Sequence, residues 1–433
     1  MNIKFRLTVM NFLEFFVWGS WLISLGGYMF NAQLFPGDLC ERGALVGATY
    51  GTMGIASLFM PTLAGIVADR FVNAEKVLGF CHLAGAAALY YASTITNVNT
   101  LYTIILINSC FFMPTIALNN TVSYNILTQN NLDVQKIFPP IRVWGTVGFI
   151  VAMWCVDLLG WTQSPNQFRF AAAAGVVMGL YSISMPPCRP AKATKGSSVA
   201  EMFGLNAFVL FKQTKMAIFF FFAMLLGAAL QITNAFGQPF LNDFSTDYKG
   251  TFAVDHPSLL ISLSQISETL FILTIPFFLK KFGIKTVMLM SMLAWTLRFA
   301  LFGIGNPGSG LIFLVLSMIV YGMAFDFFNI SGSLFVEREA NKNIRASAQG
   351  LFMLMTNGIG AMAGGWIAGK VVDHFTTNIA GACSGIKDWP AIWFSFAAYA
   401  LVLGIIFPIV FKYKHTPSDN EINKGEAIEM TPH

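Results

Sequence analysis

The sequence predicts an all-α membrane protein of twelve transmembrane helices in two six-helix halves, and three observations carry that reading. Of 433 residues, 55% are hydrophobic and only 11% charged, against roughly 25% charged in a soluble globular chain. The apolar residues run unbroken, as at 216–237 and 311–325, instead of alternating over segments of about ten residues as barrel strands do. At about 20 residues per span plus short connections, the chain has room for about a dozen helices and for no soluble domain of ordinary size.

The spans can be taken in order. Lys4 and Arg6 precede a first apolar run at 7–30, which is too long for the core of a signal peptide and lacks a small-residue cleavage site. It is expected to persist as the first helix. Charges, prolines or Gly-Asn clusters bound further spans near 43–67, 76–93, 98–125, 142–160 and 167–186. Pro139 and Pro140 read as the rigid entrance that marks where the fifth helix starts. The polar stretch 187–214 then separates six spans from six, and the second set lies near 215–240, 257–280, 286–304, 310–337, 345–372 and 390–411. The expected organisation is an N-terminal half at 1–186, a cytoplasmic linker at 187–214, a C-terminal half at 215–412 and a short polar cytoplasmic tail at 413–433, to which no role is assigned.

Twelve spans put both termini on one side. Of the 26 Lys and Arg, 19 fall on that side, against Arg42, Arg169, Lys249, Lys370 and Lys387 on the other, with Arg142 and Arg298 inside spans. Basic residues concentrate on the cytoplasmic side, so both termini are expected to be cytoplasmic. A net charge of +5 distributed this way gives no clustered face for nucleic acid. Cys81, Cys110, Cys155 and Cys188 lie in or beside apolar spans without CxxC spacing, which suits small buried hydrophobes and neither a metal nor a cofactor. Cys40 and Cys383 fall in outer loops, where an oxidising compartment permits a bridge; the sequence leaves its formation open.

Polar groups at membrane depth are functional candidates by default. Glu268 lies about 11 residues from either end of its expected span, roughly 16 Å from both surfaces at 1.5 Å per residue, and Gln265 shares its face at i−3. Gln231 and Asn234, also three apart, offer donors and acceptors to a neutral polar ligand. Tyr321 and Phe325, one turn apart, could stack a ring, and Asp326 is rotated off their face. Arg142, Thr146 and Phe149 project together by i, i+4, i+7 spacing. Each has a plainer alternative: interhelical hydrogen bonds for the carboxylate and amides, lipid or core contacts for the aromatics, and a charge at the end of its helix for Arg142. Glu14, His82, Asn108, Asn119, Asn120, Arg298, Asn329 and Asn357 read as structural partners, with Glu14 an accessory of the first helix.

Between spans 2 and 3, Gly65-Ile-Val-Ala-Asp69-Arg70 followed by Lys76 resembles the G-x-x-x-D-R loop motif of the major facilitator superfamily. Gly65 would let helices approach closely, and Asp69 with Arg70 offers a charge pair able to latch one conformation. At the equivalent place in the second half, 277–285 keeps only the basic residues. Taken with Phe-Val-Trp-Gly-Ser-Trp-Leu at 16–22, Phe-Pro-Pro-Ile-Arg-Val-Trp-Gly-Thr-Val-Gly-Phe at 138–149, Leu-Gln-Ile-Thr-Asn at 230–234, Ser-Gln-Ile-Ser-Glu-Thr-Leu-Phe-Ile-Leu-Thr-Ile-Pro at 264–276, Tyr-Gly-Met-Ala-Phe-Asp-Phe-Phe-Asn-Ile-Ser-Gly at 321–332 and Ile-Arg-Ala-Ser-Ala-Gln-Gly at 344–350, nearly the whole chain resembles the bacterial nucleoside:proton symporters of that superfamily. The resemblance implies a monomeric multi-pass transporter of the bacterial cytoplasmic membrane, in contact with lipid, importing nucleosides with protons by alternating access. It places the nucleoside site on Arg142, Thr146, Phe149, Gln231, Asn234, Gln265, Glu268, Tyr321 and Phe325, the faces already reached from position and spacing, and these are expected to converge on one cavity.

An uncharged nucleoside suits rings and amides, and one Arg facing carboxylates makes no phosphate clamp. With no cluster of oxygen ligands for sodium, a buried carboxylate is the proton carrier expected; Glu268 and Asp326 are both candidates. A sugar or other small neutral polar solute is the alternative cargo. An enzyme lacks support, since no HExxH, GxSxG or Walker pattern occurs.

Overall fold

The computed structural model describes residues 2–190, 205–341, 344–379 and 382–413. The tail beyond Tyr413 and the middle of the linker lie outside the described residues. The chain forms α1 (Ile3–Gly19), α2 (Leu25–Phe30), α3 (Arg42–Arg70), α4 (Ala74–Ala92), α5 (Val98–Gln129), α6 (Val134–Leu158) and α7 (Asn166–Ile183), then a 3-10 turn at Leu205–Lys212. There follow α8 (Thr214–Asn242), α9 (Phe252–Asp255), α10 (Pro257–Ile272), α11 (Ile275–Ile304), α12 (Leu311–Glu339), and α13 (Arg345–Met353), which a π-helical segment (Leu354–Gly360) joins to α14 (Ala361–His374). A hairpin of β1 (Thr376–Ile379) and antiparallel β2 (Ala382–Lys387) precedes α15 (Trp389–Val410).

Among the described residues, eight helices are long and apolar enough to cross a membrane. The other four expected spans correspond to α1, α4, α7 and α10. Two of these are shortened by breaks: α1 has 17 residues because the chain turns at 20–24 before α2, and α10 has 16. The expected span 257–280 ends early because the chain turns at Leu273 and Thr274 and restarts with Pro276 in the first turn of α11, where the ring's missing N–H has no partner to lose. A second interruption follows at Gly283, whose φ of 75° is open to glycine and poorly accessible to other residues.

The described residues group into two compact units. The first comprises 2–37 and 48–190. In it α1 packs along α6, and α4 lies between α5 and α7. The α1–α6 contact is close because Gly148 has no side chain: a Cβ there would run into the backbone of Phe12. The start of α6 corrects the sequence reading. Asp133 caps it through Lys136 N, so Pro139 and Pro140 sit inside the helix in its second turn, not at its start. An interior proline forfeits a ladder hydrogen bond, and the two are tolerated close to the capped end.

The second unit comprises 38–47 and 205–413. Its most extensive contact is α11 with α12; α15 packs on α11, α10 on α12, and α8 on the π segment and α14. Its core is aromatic, with Phe219, Phe220, Phe236, Phe240, Trp295 and Trp393 fully buried. The N-terminus of α3 is held here by Asp373, whose carboxylate accepts from the N–H groups of Gly43 and Ala44 at 2.6 and 2.8 Å, an anion at the positive end of a helix. Cys40 is disulfide-bonded; the side chain of Cys383, the partner considered above, lies outside the described residues. Lys387, at the end of the hairpin, pairs with Asp243 at 2.9 Å, and Asp243 also accepts from the Trp389 indole at 2.8 Å.

Candidate functional site

In the first unit the three expected residues lie on one stretch of α6 facing α1. The Arg142 guanidinium sits 4.0 Å above the centroid of the Phe15 ring. It is therefore engaged by an aromatic face of α1, a contact worth ~0.5–2 kcal/mol. One turn on, Thr146 is half-buried, and Phe149 is buried edge-on against Trp18 at 6.1 Å between centroids. Gly145 and Gly148 bring α1 near enough for both contacts.

In the second unit α12 supplies the ring platform. Tyr321 and Phe325 stack with centroids 5.8 Å apart and planes 3° from parallel, as i, i+4 spacing on a helix dictates. Tyr321 is buried, edge-on to Trp295 of α11 and with the Arg298 guanidinium 4.5 Å from its centroid. The sequence reading left Arg298 as a structural partner. In place, it is a buried cation fixed by Ser317 O at 2.7 Å and Ser264 Oγ at 3.3 Å, and it orders the face of Tyr321. The available signal was an arginine inside an apolar span, three residues after Trp295 on the same face.

α10 lies close to α12 because the Ser267 hydroxyl donates to Ile319 O and a side chain at Gly322 would strike the Ser267 backbone. This brings half-buried Glu268 close enough to act electrostatically on both Tyr321 and Asp326. Glu268 does not lie at mid-helix, as its expected span implied: it is four residues from the end of α10, because the chain turns at Leu273. Asp326 is buried. Gln231 Oε1, Gln265 Oε1 and Asp326 Oδ2 are buried without a hydrogen-bond partner among the described residues. Such orphaned atoms are uncommon in native proteins, and these three are acceptors for a ligand or water. Asn234, one turn after Gln231's neighbour Leu230 on α8, is half-buried.

A cavity in the same unit is lined by Gly227, Leu230, Trp295, Phe325, Asn329, Thr356 and Asn357, among others. Thr356 and Asn357 belong to the π segment, and a side chain at Gly227 would meet the backbone of Thr356. π-helical turns occur often at functional sites; periodicity alone does not disclose one. Asn329 and Asn357 were read as structural, and the structure puts both on this cavity beside Phe325.

The Gly65 motif is partly corrected. A Cβ at Gly65 would meet nothing within 4 Å among the described residues, so the close approach expected of it is not made here. Asp69 and Arg70 are exposed at the C-terminus of α3, where a cation opposes the negative helix end. No group of three or more His, Cys, Asp or Glu among the described residues is placed to hold a metal ion.

A family model described as nucleoside H+ symporter matches residues 1–416. The chain is 53% identical over 420 residues to the xanthosine permease of Escherichia coli, covering 96% of this chain and 98% of the relative. It is 51% identical over 418 residues to the nucleoside permease NupG of Escherichia coli, covering 96% and 97%. A crystal structure of nucleoside transporter NupG superposes with a TM-score of 0.88 at 51% identity, covering 96% of this chain and all of that one. The POT family transporter PepTSo matches with a TM-score of 0.71 at 14% identity over 94% of this chain and 97% of that one, a likeness of fold alone.

Proposed function

The chain belongs to the nucleoside H+ symporter family, and from that premise we propose that it imports nucleosides with protons across the bacterial inner membrane by alternating access. It is a transporter and not an enzyme. In this reading the fold is that of the major facilitator superfamily, with twelve spans in two six-helix halves at 1–186 and 215–412, a linker at 187–214, both termini in the cytoplasm, and a monomer as the working unit.

The observation that supports the cargo best is the parallel Tyr321–Phe325 pair in a unit with buried, partnerless acceptors on Gln231, Gln265 and Asp326. A nucleoside supplies what these lack: an aromatic face to stack, and base and ribose donors for the acceptors. Stacking contributes roughly 1–3 kcal/mol per base. Arg142, Thr146 and Phe149 contribute cation, hydroxyl and ring, Asn234 a further amide, and Glu268 a carboxylate for ribose or base. Glu268 or Asp326 takes a proton from outside, which lowers the repulsion between them; nucleoside binds, access alternates, and both ligands leave to the cytoplasm. Asp69 and Arg70 act as the latch at the inner end of α3.

Cells without their own nucleoside uptake, given this protein, should accumulate labelled uridine and lose that accumulation when the proton gradient is dissipated. Accumulation insensitive to the gradient would refute the coupling. Displacement of uridine by sugars at similar concentration would refute the cargo.

A further inference from the structure

The mechanism above uses carboxylates of the second unit only, yet the first unit holds an ionisable pair more deeply enclosed than either. Glu14 on α1 is 0% exposed and His82 on α4 is 2% exposed, with Nε2 2.7 Å from Oε2. The other carboxylate oxygen, Oε1, accepts from the Thr115 hydroxyl of α5 at 2.6 Å. Three helices thus meet at one carboxylate.

We propose that Glu14 and His82 form a second proton-binding site of the transporter, which gains or loses a proton as access alternates and passes its state to Phe149. The inference rests on the transport reading of the preceding section.

Charge counting supports it. With one proton between them the pair is neutral overall; with none it is −1, and with two it is +1. A buried net charge is strongly disfavoured, so a change in the pair's proton number must accompany admission of water or separation of α1 from α4. That condition ties proton number to conformation. Among the described residues, the groups that bear on it include Cys81 of α4, on which Glu14 acts electrostatically, and Arg142 of α6, seated on the ring of the next residue, Phe15. α7 presents to α1 the Tyr181 hydroxyl, which donates to Arg6 O about two turns away.

A buried polar cluster lies one turn along α1 from the pair. Asn11, one turn before Glu14, accepts from Asn119 Nδ2 at 2.9 Å and lies 3.4 Å from Ser123 Oγ, all three residues being buried. In the other direction the contact is aromatic: His82 is edge-on to Phe112 at 6.1 Å, Phe112 is 5.4 Å from Trp18, and Trp18 is edge-on to Phe149. Phe112 and Thr115 share a face of α5, so a shift at the pair is felt at Phe149.

The test uses the full chain in proteoliposomes, with Glu14→Gln and His82→Gln. Uridine counterflow at equal pH measures nucleoside passage without net proton movement, and both variants should keep it within about threefold. Each coupled proton supports about tenfold accumulation per unit of pH gradient, so losing one should lower accumulation about tenfold per unit and flatten the dependence of uptake on pH. Variants that accumulate uridine at the wild-type ratio with the wild-type pH profile overturn the proposal. Wild-type protein without counterflow overturns the transport reading first, a distinguishable result. Should neither variant fold, nitrogen-15 histidine spectra of the wild type decide. A His82 signal that changes charge state over the pH range of transport is expected, and one that stays fixed overturns the proposal.

Discussion

Tyr321 is the residue whose surroundings say most about its use. Its ring lies parallel to Phe325, edge-on to Trp295 and against the Arg298 guanidinium, so it is pre-oriented and loses little freedom on stacking a base. Tyr321→Ala should weaken uridine binding by roughly 1–3 kcal/mol, which is about 5- to 150-fold in Kd; Tyr321→Phe, which keeps the ring, should cost less than about threefold. Calorimetry on the purified variants checks both. Arg298 acts one step behind. Its planar group serves Ser317 O, Ser264 Oγ and two rings at once, which an ammonium cannot reproduce. Arg298→Lys should therefore lower uridine affinity by about 1–2 kcal/mol with helical content unchanged by circular dichroism. Equal affinity in that variant would show that Tyr321 holds its place without the guanidinium.

Among the elements, the α1–α6 pair sets the first unit's share of the site. Gly148 lets α6 reach the backbone of Phe12, and that approach seats Arg142 on Phe15. Gly148→Leu should force the helices apart and abolish counterflow, with a drop in melting temperature, whereas Val143→Leu, on an exposed position of the same helix, should change neither. At the end of α7 the chain is fastened through Cys188, whose N–H donates to Glu75 at 2.8 Å. Burial and then the Glu75 carboxylate push this thiol up to about 12. The group stays protonated at pH 8, where the thiolate is the reactive form, so Cys188 should resist maleimide at pH 8 in the folded protein and react after denaturation, as read by mass spectrometry. The helices themselves were legible as apolar runs, and the faces of α6, α8, α10 and α12 as i, i+3, i+4 spacings. What was not legible were interruptions within such runs. Leu273 and Thr274 are as apolar as a span needs, and only Pro276 hinted at the restart. Pro139 and Pro140 suggested a start that Asp133 supplies earlier. The π segment at 354–360 depends on packing against α8, which no local pattern encodes.

At the scale of the whole molecule, two observations of different origin bear on its orientation. In the proposed twelve-span topology basic residues gather on the side of the termini and Cys40 lies on the other; Cys40 is disulfide-bonded, which an oxidising compartment favours. In the proposed topology the connection holding Lys249 is outside and that holding Lys136 is cytoplasmic. The two positions allow a direct test, since both are exposed, and among the described side chains the native thiols offer little competition: Cys40 is bonded, Cys81 and Cys188 are buried, and Cys110 and Cys155 are half-buried. Lys249→Cys should react with a membrane-impermeant maleimide in intact spheroplasts, and Lys136→Cys only once the membrane is opened. The reverse labelling would invert the topology, and with it the direction in which Glu268 or Asp326 takes its proton. Labelling of both in sealed spheroplasts would place both loops outside, so that an even number of crossings separates them instead of the three expected at 142–160, 167–186 and 215–240, and the count of twelve spans would fall.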